Sequence, residues 1–401
     1  MHQIKFQFMR KRFLLLFVFM SVLGIAKAQT LDSIAPDTAG IRAITSAELS
    51  KKMGSGWNVG NSLEAIGGET AWGNPLISKR LIDSVKAAGF NVIRIPVAWS
   101  KFTNATTYTI DTIFMKRVEE VVNFVLDNKM YAVMNMHWDG GWMQPTFAKQ
   151  EYVNSRLAIM WKQIAIHFRN YDDHLIFAGT NEVMVAKDYS TPKKEYYTVQ
   201  NSFNQTFVNT VRSTGGRNYY RYLAVQGFNT NIDHTYNFFI MPVDVVAKKL
   251  FVEVHYYDPY NFALNGNSAI TQWGKYADKP ANTETWANES YVDSQFQKMK
   301  TKFVDHGVGV IIGEYGANAR ISLGSNGLNA TYAGFRRYYM QYITQSIVKH
   351  GLMPVYWDNG NAGDKSMAIF NRLTGAIVYP EIVKAIVNTS EDIKAVKIIN
   401  D

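Results

Sequence analysis

The chain has 401 residues, 47% of them apolar, 14% aromatic and only 19% charged, a balance that excludes extended disorder. It holds no cysteine, which excludes disulfides, thiolate metal sites and cysteine nucleophiles, and its length allows a core that needs no covalent staple. The formal charge of +9 invites an acidic partner such as nucleic acid, subject to where the charges lie.

Part of that charge lies in the opening segment. Lys5, Arg10, Lys11 and Arg12 precede a 14-residue apolar run from Phe13 to Ala26, and Ala26-Lys27-Ala28 offers the small residues a signal peptidase needs. As a helix the run would span about 21 Å, short of the roughly 30 Å of a bilayer core. Residues 1–28 are therefore expected to be a signal peptide. The mature protein is expected to be exported (secreted, periplasmic or at the cell surface) with no membrane attachment after signal removal. The segment carries five of the 42 basic residues and none of the acidic ones, which leaves 37 basic against 33 acidic. The remaining basic residues occur at most as pairs such as Lys51-Lys52 and Arg336-Arg337, so a nucleic-acid partner is not expected.

Residues 29–44 have no sustained period and read as a linker. From Thr45 onward, short apolar runs alternate with amphipathic segments. Strands are predicted at Gly56–Val59, Val92–Ile95, Tyr131–Met136, Leu175–Gly179, Tyr222–Gln226, Leu250–Val254, Val308–Ile312 and Met353–Tyr356. They are continuous and rich in Val, Ile and aromatics, as buried parallel strands are. Helical spacing covers Ile77–Ala88, Ile113–Asn128, Asn154–Phe168, Tyr196–Thr214, Tyr291–Asp305 and Thr331–Lys349. Asn229–Phe239 is irregular, and residues 257–290 form a long loop. Eight strands alternating with helices predict an α/β fold, a single-domain (β/α)8 TIM barrel over residues 45–395 with a tail at 396–401.

In such a barrel the active site lies at the C-terminal ends of the strands. Those ends carry Asn58, Arg94, His137, Asn181-Glu182, His255-Tyr256-Tyr257, Glu314 and Trp357-Asp358. Capping alone would favour Asp, Ser, Thr and Gly there. Glu182 and Glu314 end strands that face each other across the barrel mouth. Two carboxylates in an aromatic cleft suit glycosidic bond cleavage, where one must be protonated to help the leaving oxygen depart and the other ionised. Flat sugar CH faces would stack on tryptophans, and Trp72, Trp99, Trp138, Trp142, Trp273, Trp286 and Trp357 fall in loops or at strand ends. Trp161 lies mid-helix and reads as core. Physics alone leaves open which glutamate takes which role.

The segments Gly56-Trp57-Asn58-Val59-Gly60-Asn61-Ser62-Leu63-Glu64, Arg94-Ile95-Pro96, Asn181-Glu182, His255-Tyr256-Tyr257, Gly313-Glu314-Tyr315-Gly316 and Trp357 together resemble glycoside hydrolase family 5, above all its bacterial endo-β-1,4-glucanases. The resemblance runs from about residue 50 to 390, with the motifs in the family's order. It implies a retaining hydrolase with Glu182 as acid/base and Glu314 as nucleophile. It also implies that Asn181 binds the sugar 2-hydroxyl, that Arg94 and Tyr257 aim the nucleophile, that His255 sits near the acid/base and that His137 contacts substrate. Trp357 would be the platform beside the scissile bond, and Asn58, Trp138, Trp142 and Trp273 are further substrate-binding candidates. The family pattern usually has Pro after the first glutamate and His-His after the third strand; here Val183 and His137-Trp138 stand there.

No metal or cofactor is expected, since the His-x-His spacing of metal-dependent barrels is missing. The expected activity is internal cleavage of a β-linked polysaccharide, foremost a β-1,4-glucan, by a monomer. Xyloglucan, mixed-linkage glucan and β-mannan are alternative substrates. A non-catalytic carbohydrate-binding protein is the alternative of another class, and loss of either carboxylate would be its sign; both are present.

Overall fold

Alternation of inward and outward side chains along eight short strands is what builds the molecule. The computed structural model describes residues 32–137, 141–324 and 328–389, and the architecture below belongs to the compact unit that begins at Ala35. Strands β1 (Gly56–Asn58), β2 (Val92–Ile95), β3 (Tyr131–Asn135), β4 (Leu175–Ala178), β5 (Leu223–Gln226), β6 (Leu250–Tyr256), β7 (Gly309–Tyr315) and β8 (Met353–Tyr356) pair in parallel in that order. β8 returns to β1 and closes the barrel. The expected leader and tail lie outside the described residues. Among the described residues no helix is long and apolar enough to cross a membrane.

Outward residues such as Ile93, Met134, Phe177, Val225, Val252 and Ile312 pack beneath the helices in one large core. Helix α1 (Ser46–Met53) comes first, with Thr45 and Glu48 forming a reciprocal capping box at its start. Its Leu49 and Met53 join the barrel's interior cluster. Six helices follow the spacing read in the sequence: α2 (Lys79–Ala87), α3 (Thr112–Asp127), α4 (Phe147–His167), α5 (Lys194–Ser213), α7 (Glu289–Lys302) and α8 (Leu328–Lys349). In α3 the buried Phe114, Met115, Val118, Val121, Val122 and Val125 form one stripe, and Asp111 caps the first turn. The irregular stretch after β5 holds a short helix, α6 (Ile232–Phe238). Another short helix, α9 (Pro380–Val387), packs on α8.

Inward residues change character along each strand. Low in the barrel they are apolar: Val92, Val133, Ala224, Phe251 and Ile311. Two positions further on they become Arg94, Asn135, Gln226, Glu253 and Gly313. The apolar positions seal the floor, and the polar positions above them carry the site.

β6 and β7 run further than the apolar runs predicted, to Tyr256 and Tyr315. The ladder between them pairs Glu253 with Ile311 and Val254 with Ile312, then slips and pairs His255 with Glu314. Gly313 is the extra residue. A bulge of this kind re-aims the residue that follows it, so Glu314 joins the inward set instead of facing the helices.

Candidate active site

Arg94 is fully buried at the centre of the polar layer. Its Nη1 donates to Asn58 Oδ1 at 3.0 Å and to Glu314 Oε1 at 2.9 Å, and its Nη2 donates to Asn181 Oδ1 at 2.7 Å. Its Nε lies 2.8 Å from Glu253 Oε1. Because a guanidinium only donates, it fixes the amide of Asn181 with the NH2 group turned away from itself. That NH2 lies 3.5 Å from His137 Nε2. Burial, Arg94 and His255 lower His137 well below the usual imidazole range, so it is neutral.

Glu314 is buried, and its second oxygen accepts from the Tyr257 hydroxyl at 3.1 Å. Burial pushes its carboxyl up from the ordinary value, while His255 and Arg94 pull it back. Burial together with Glu314 and Glu182 holds the Tyr257 hydroxyl well above its usual range, so it keeps the proton it donates. Glu182 is far more exposed and meets His255 Nδ1 at 2.7 Å. Although burial opposes its charge, Glu314, Glu182 and Glu253 raise His255 to about 9. An oxygen of Glu182, an oxygen of Glu314 and a ring nitrogen of His255 all lie within 4.8 Å of one another. Oxygens this close are compatible with the roughly 5–5.5 Å carboxyl separation of retaining glycosidases.

Trp357 is half-buried after β8, with its ring parallel to His137 at 6.0 Å. A Cβ at Gly60 would meet the Trp357 ring at 2.8 Å, so a glycine there is what lets the ring lie against the β1 loop. Beneath it the buried carboxylate of Asp358 accepts from Trp57 Nε1 at 3.0 Å and from Arg372 Nη2 at 2.9 Å. Beside Glu182 a cleft of about 600 Å³ runs past Gln144, Met184, Tyr189, Asn229 and Tyr257.

The barrel mouth thus brings together Arg94, His137, Asn181, Glu182, His255, Tyr257, Glu314 and Trp357. Trp142 also borders it, lining a small recess with Asn181 and Glu182 under the guanidinium of Arg156 at 4.3 Å. Trp138 lies outside the described residues. Two candidates are corrected. Asn58 is fully buried, and its amide donates to the Gly313 carbonyl at 2.9 Å while its oxygen accepts from Arg94, so it supports the arginine from beneath the cleft surface. Trp273 is 2% exposed, packed tilted or edge-on against Tyr338, Tyr339 and Tyr342 of α8 with its Nε1 donating to the Ala287 carbonyl, because the long loop after β6 folds back onto that helix.

Glu253 and Gln226 complete the polar layer and are not among the residues the sequence singles out. Glu253 lies inside the apolar run Leu250–Val254, and Gln226 is the last residue of the run Tyr222–Gln226. Period-two alternation, with Glu253 two residues before His255, is the signal that would have found them. Burial opposes the charge of Glu253, yet Arg94 and His255 hold its carboxyl down at about 2.

The family model for cellulase, glycosyl hydrolase family 5, matches residues 57–363. A xyloglucan-specific endo-β-1,4-glucanase of Bacteroides ovatus is 44% identical over 356 residues, spanning 85% of this chain and 70% of that protein. Endoglucanase A of Paenibacillus barcinonensis is 40% identical, spanning 88% of this chain and 92% of that one. A solved Bacteroides ovatus GH5 xyloglucanase in complex with a XXXG heptasaccharide matches with a TM-score of 0.85 at 41% identity, covering 89% of this chain and 79% of that chain. A GH5-4 broad specificity endoglucanase from Bacteroides salanitronis matches at 0.80 and 36%, covering 87% and 96%. The chain belongs to glycosyl hydrolase family 5, the cellulase family.

Proposed function

We propose that the protein is an exported endo-β-1,4-glucanase that cleaves its substrate with retention, Glu182 acting as acid/base and Glu314 as nucleophile. The observation that carries this reading is the short approach of the two carboxylates, one exposed to the cleft and one buried against Arg94 and Tyr257.

In the first step Glu182 gives its proton to the glycosidic oxygen while a Glu314 oxygen attacks the anomeric carbon. The C–O bond to the leaving chain breaks, and a glycosyl ester on Glu314 forms. In the second step Glu182, now a carboxylate, takes a proton from water, whose oxygen attacks the same carbon and releases Glu314. Arg94 and Tyr257 stabilise the carboxylate as it leaves. Asn181, its oxygen tied to Arg94, offers its NH2 to the sugar 2-hydroxyl, and Trp357 stacks on a ring face.

Initial rates of the purified protein on a soluble cellulose derivative, mixed-linkage glucan, xyloglucan, mannan and xylan test the reading. The β-1,4-glucan backbones are expected to be cleaved fastest, with rapid viscosity loss; a mannan rate far above all glucans would overturn it. The xyloglucan-specific relative at 44% identity favours a second reading, in which the branched glucan is the preferred member of the panel.

A further inference from the structure

We propose that Glu253 is a positioning residue that keeps His255 doubly protonated and ties it to Arg94, so that one buried carboxylate steadies the cationic partner of each reactive glutamate. The inference rests on the roles proposed above for Glu182 and Glu314.

Glu253 is wholly buried and acts only as an acceptor. Its Oε1 faces Arg94 Nε at 2.8 Å, and its Oε2 accepts from Gln226 Nε2 at 2.7 Å. The amide of Gln226 cannot turn, because its oxygen accepts from both the backbone N–H and the hydroxyl of Thr180 at 3.0 Å. Glu253 thus has the Arg94 guanidinium paired with one oxygen and the Gln226 amide donating to the other, and is held as a carboxylate.

His255 sees this carboxylate from Nε2 at 3.4 Å, while Nδ1 faces Glu182 at 2.7 Å and Glu314 Oε2 at 3.7 Å. A ring with carboxylates at both nitrogens is favoured with a proton on each. The other charged or titratable groups around it are Arg94 from β2, neutral His137 after β3 and protonated Tyr257 just after its own strand. Three carboxyl groups thus surround the imidazole, and only Glu253 takes no part in bond making. Space for it exists because residue 313 is glycine: a Cβ there would lie 2.2 Å from Glu253 Oε1. The bulge that aims Glu314 and the room for Glu253 come from one residue.

In the proposed state the proton on His255 Nδ1 lies in its 2.7 Å contact with Glu182, so the pair shares a proton that can reside on the carboxyl when the leaving oxygen needs it. Removing the Glu253 charge should weaken the hold on that proton without touching substrate contacts.

The test is Glu253→Gln in the full chain, with the His255 ring resonances titrated by NMR without substrate and kcat/KM followed against pH. The wild-type ring is expected to stay protonated well above the ordinary imidazole midpoint of about 6.5. In the variant that midpoint should fall by at least about one pH unit and the alkaline limb of kcat/KM should follow, with kcat reduced about tenfold and KM within about twofold. A folded variant with an unmoved midpoint and limb would overturn the proposal. Should Glu253→Gln not fold, Glu253→Asp, which keeps the charge but draws it back from the ring, takes its place: a lowered His255 midpoint supports the proposal, and an unmoved one overturns it. Glu182→Ala activity, measured in parallel, separates an error in the acid/base role from an error here, because the NMR midpoint is read without turnover.

Discussion

His255 on β6 stands directly opposite Glu314 on β7, a pairing that exists only because the ladder slips at Gly313. Continued without the slip, period-two alternation would turn residue 314 outward beneath the helices. The bulge therefore converts a strand residue into a site residue, and Gly313→Ala is expected to undo it. The added methyl would meet a carboxylate already held by Arg94 and Gln226. A stability loss of about 1–3 kcal/mol and a kcat reduction of about 100-fold are expected, read by thermal melting and hydrolysis of soluble β-glucan. Wild-type activity in the variant would contradict the role of the bulge.

The two glutamates should fail in different ways. Glu314→Ala is expected to lower kcat at least about 10⁴-fold on every substrate, with oligosaccharide binding retained. Glu182→Ala should cost about 10²–10⁴-fold on polysaccharide but far less in the first step of an aryl glycoside whose leaving group needs no proton. Because burial raises Glu314, the acid limb of kcat/KM in the parent enzyme should lie above the ordinary carboxylate range. Equal losses for both variants on both substrates would sink the division of labour.

Tryptophans at similar sequence positions have opposite fates. Trp357→Ala should raise KM by about 10–100-fold and leave the melting temperature nearly unchanged, because the ring is half-buried beside His137. Trp273→Ala should do the reverse, with about 3–5 kcal/mol of stability lost and KM unmoved, because the ring is packed against α8. Melting curves and Michaelis plots on the same two variants check both.

Glu64 gives a pH dependence of stability. Burial raises its carboxyl from 4.5 to about 7, opposed by the backbone N–H groups of Ser62 and Asn61 and by Arg372. A group whose pKa is raised on folding stabilises fully below its unfolded value and loses that contribution as pH rises through the folded value. Glu64 should thus remove stability on the order of 3 kcal/mol between about pH 4.5 and 7. His255, raised to about 9, extends the decline further into alkali. Glu64→Gln should flatten melting temperature between pH 5 and 7; an unchanged slope would assign the decline elsewhere.

Much of this was legible in the sequence. All eight barrel strands sit where apolar runs predict them, since a strand buried on both faces must be continuously apolar. Glu182, Glu314, Arg94 and His255 could be read because charged residues at the ends of such runs are out of place. Glu253 could not, because one inward polar residue among outward valines leaves a run looking apolar, and Gln226 at the end of its run is uncharged and reads as an ordinary strand terminus. The ends of β6 and β7 were set too early for the same reason: His255 and Glu314 are strand residues and site residues at once. The place of Trp273 is not legible in sequence, because a loop's sequence does not say which way the loop folds; its contacts with α8 do.

The central claim, double displacement through Glu314, is tested most directly by the anomeric configuration of the first product. Proton NMR should be recorded within the first minute of cello-oligosaccharide cleavage, before mutarotation. The β-anomer should appear first, with the α-anomer growing in later; an α-anomer formed first would mean inversion and contradict the account.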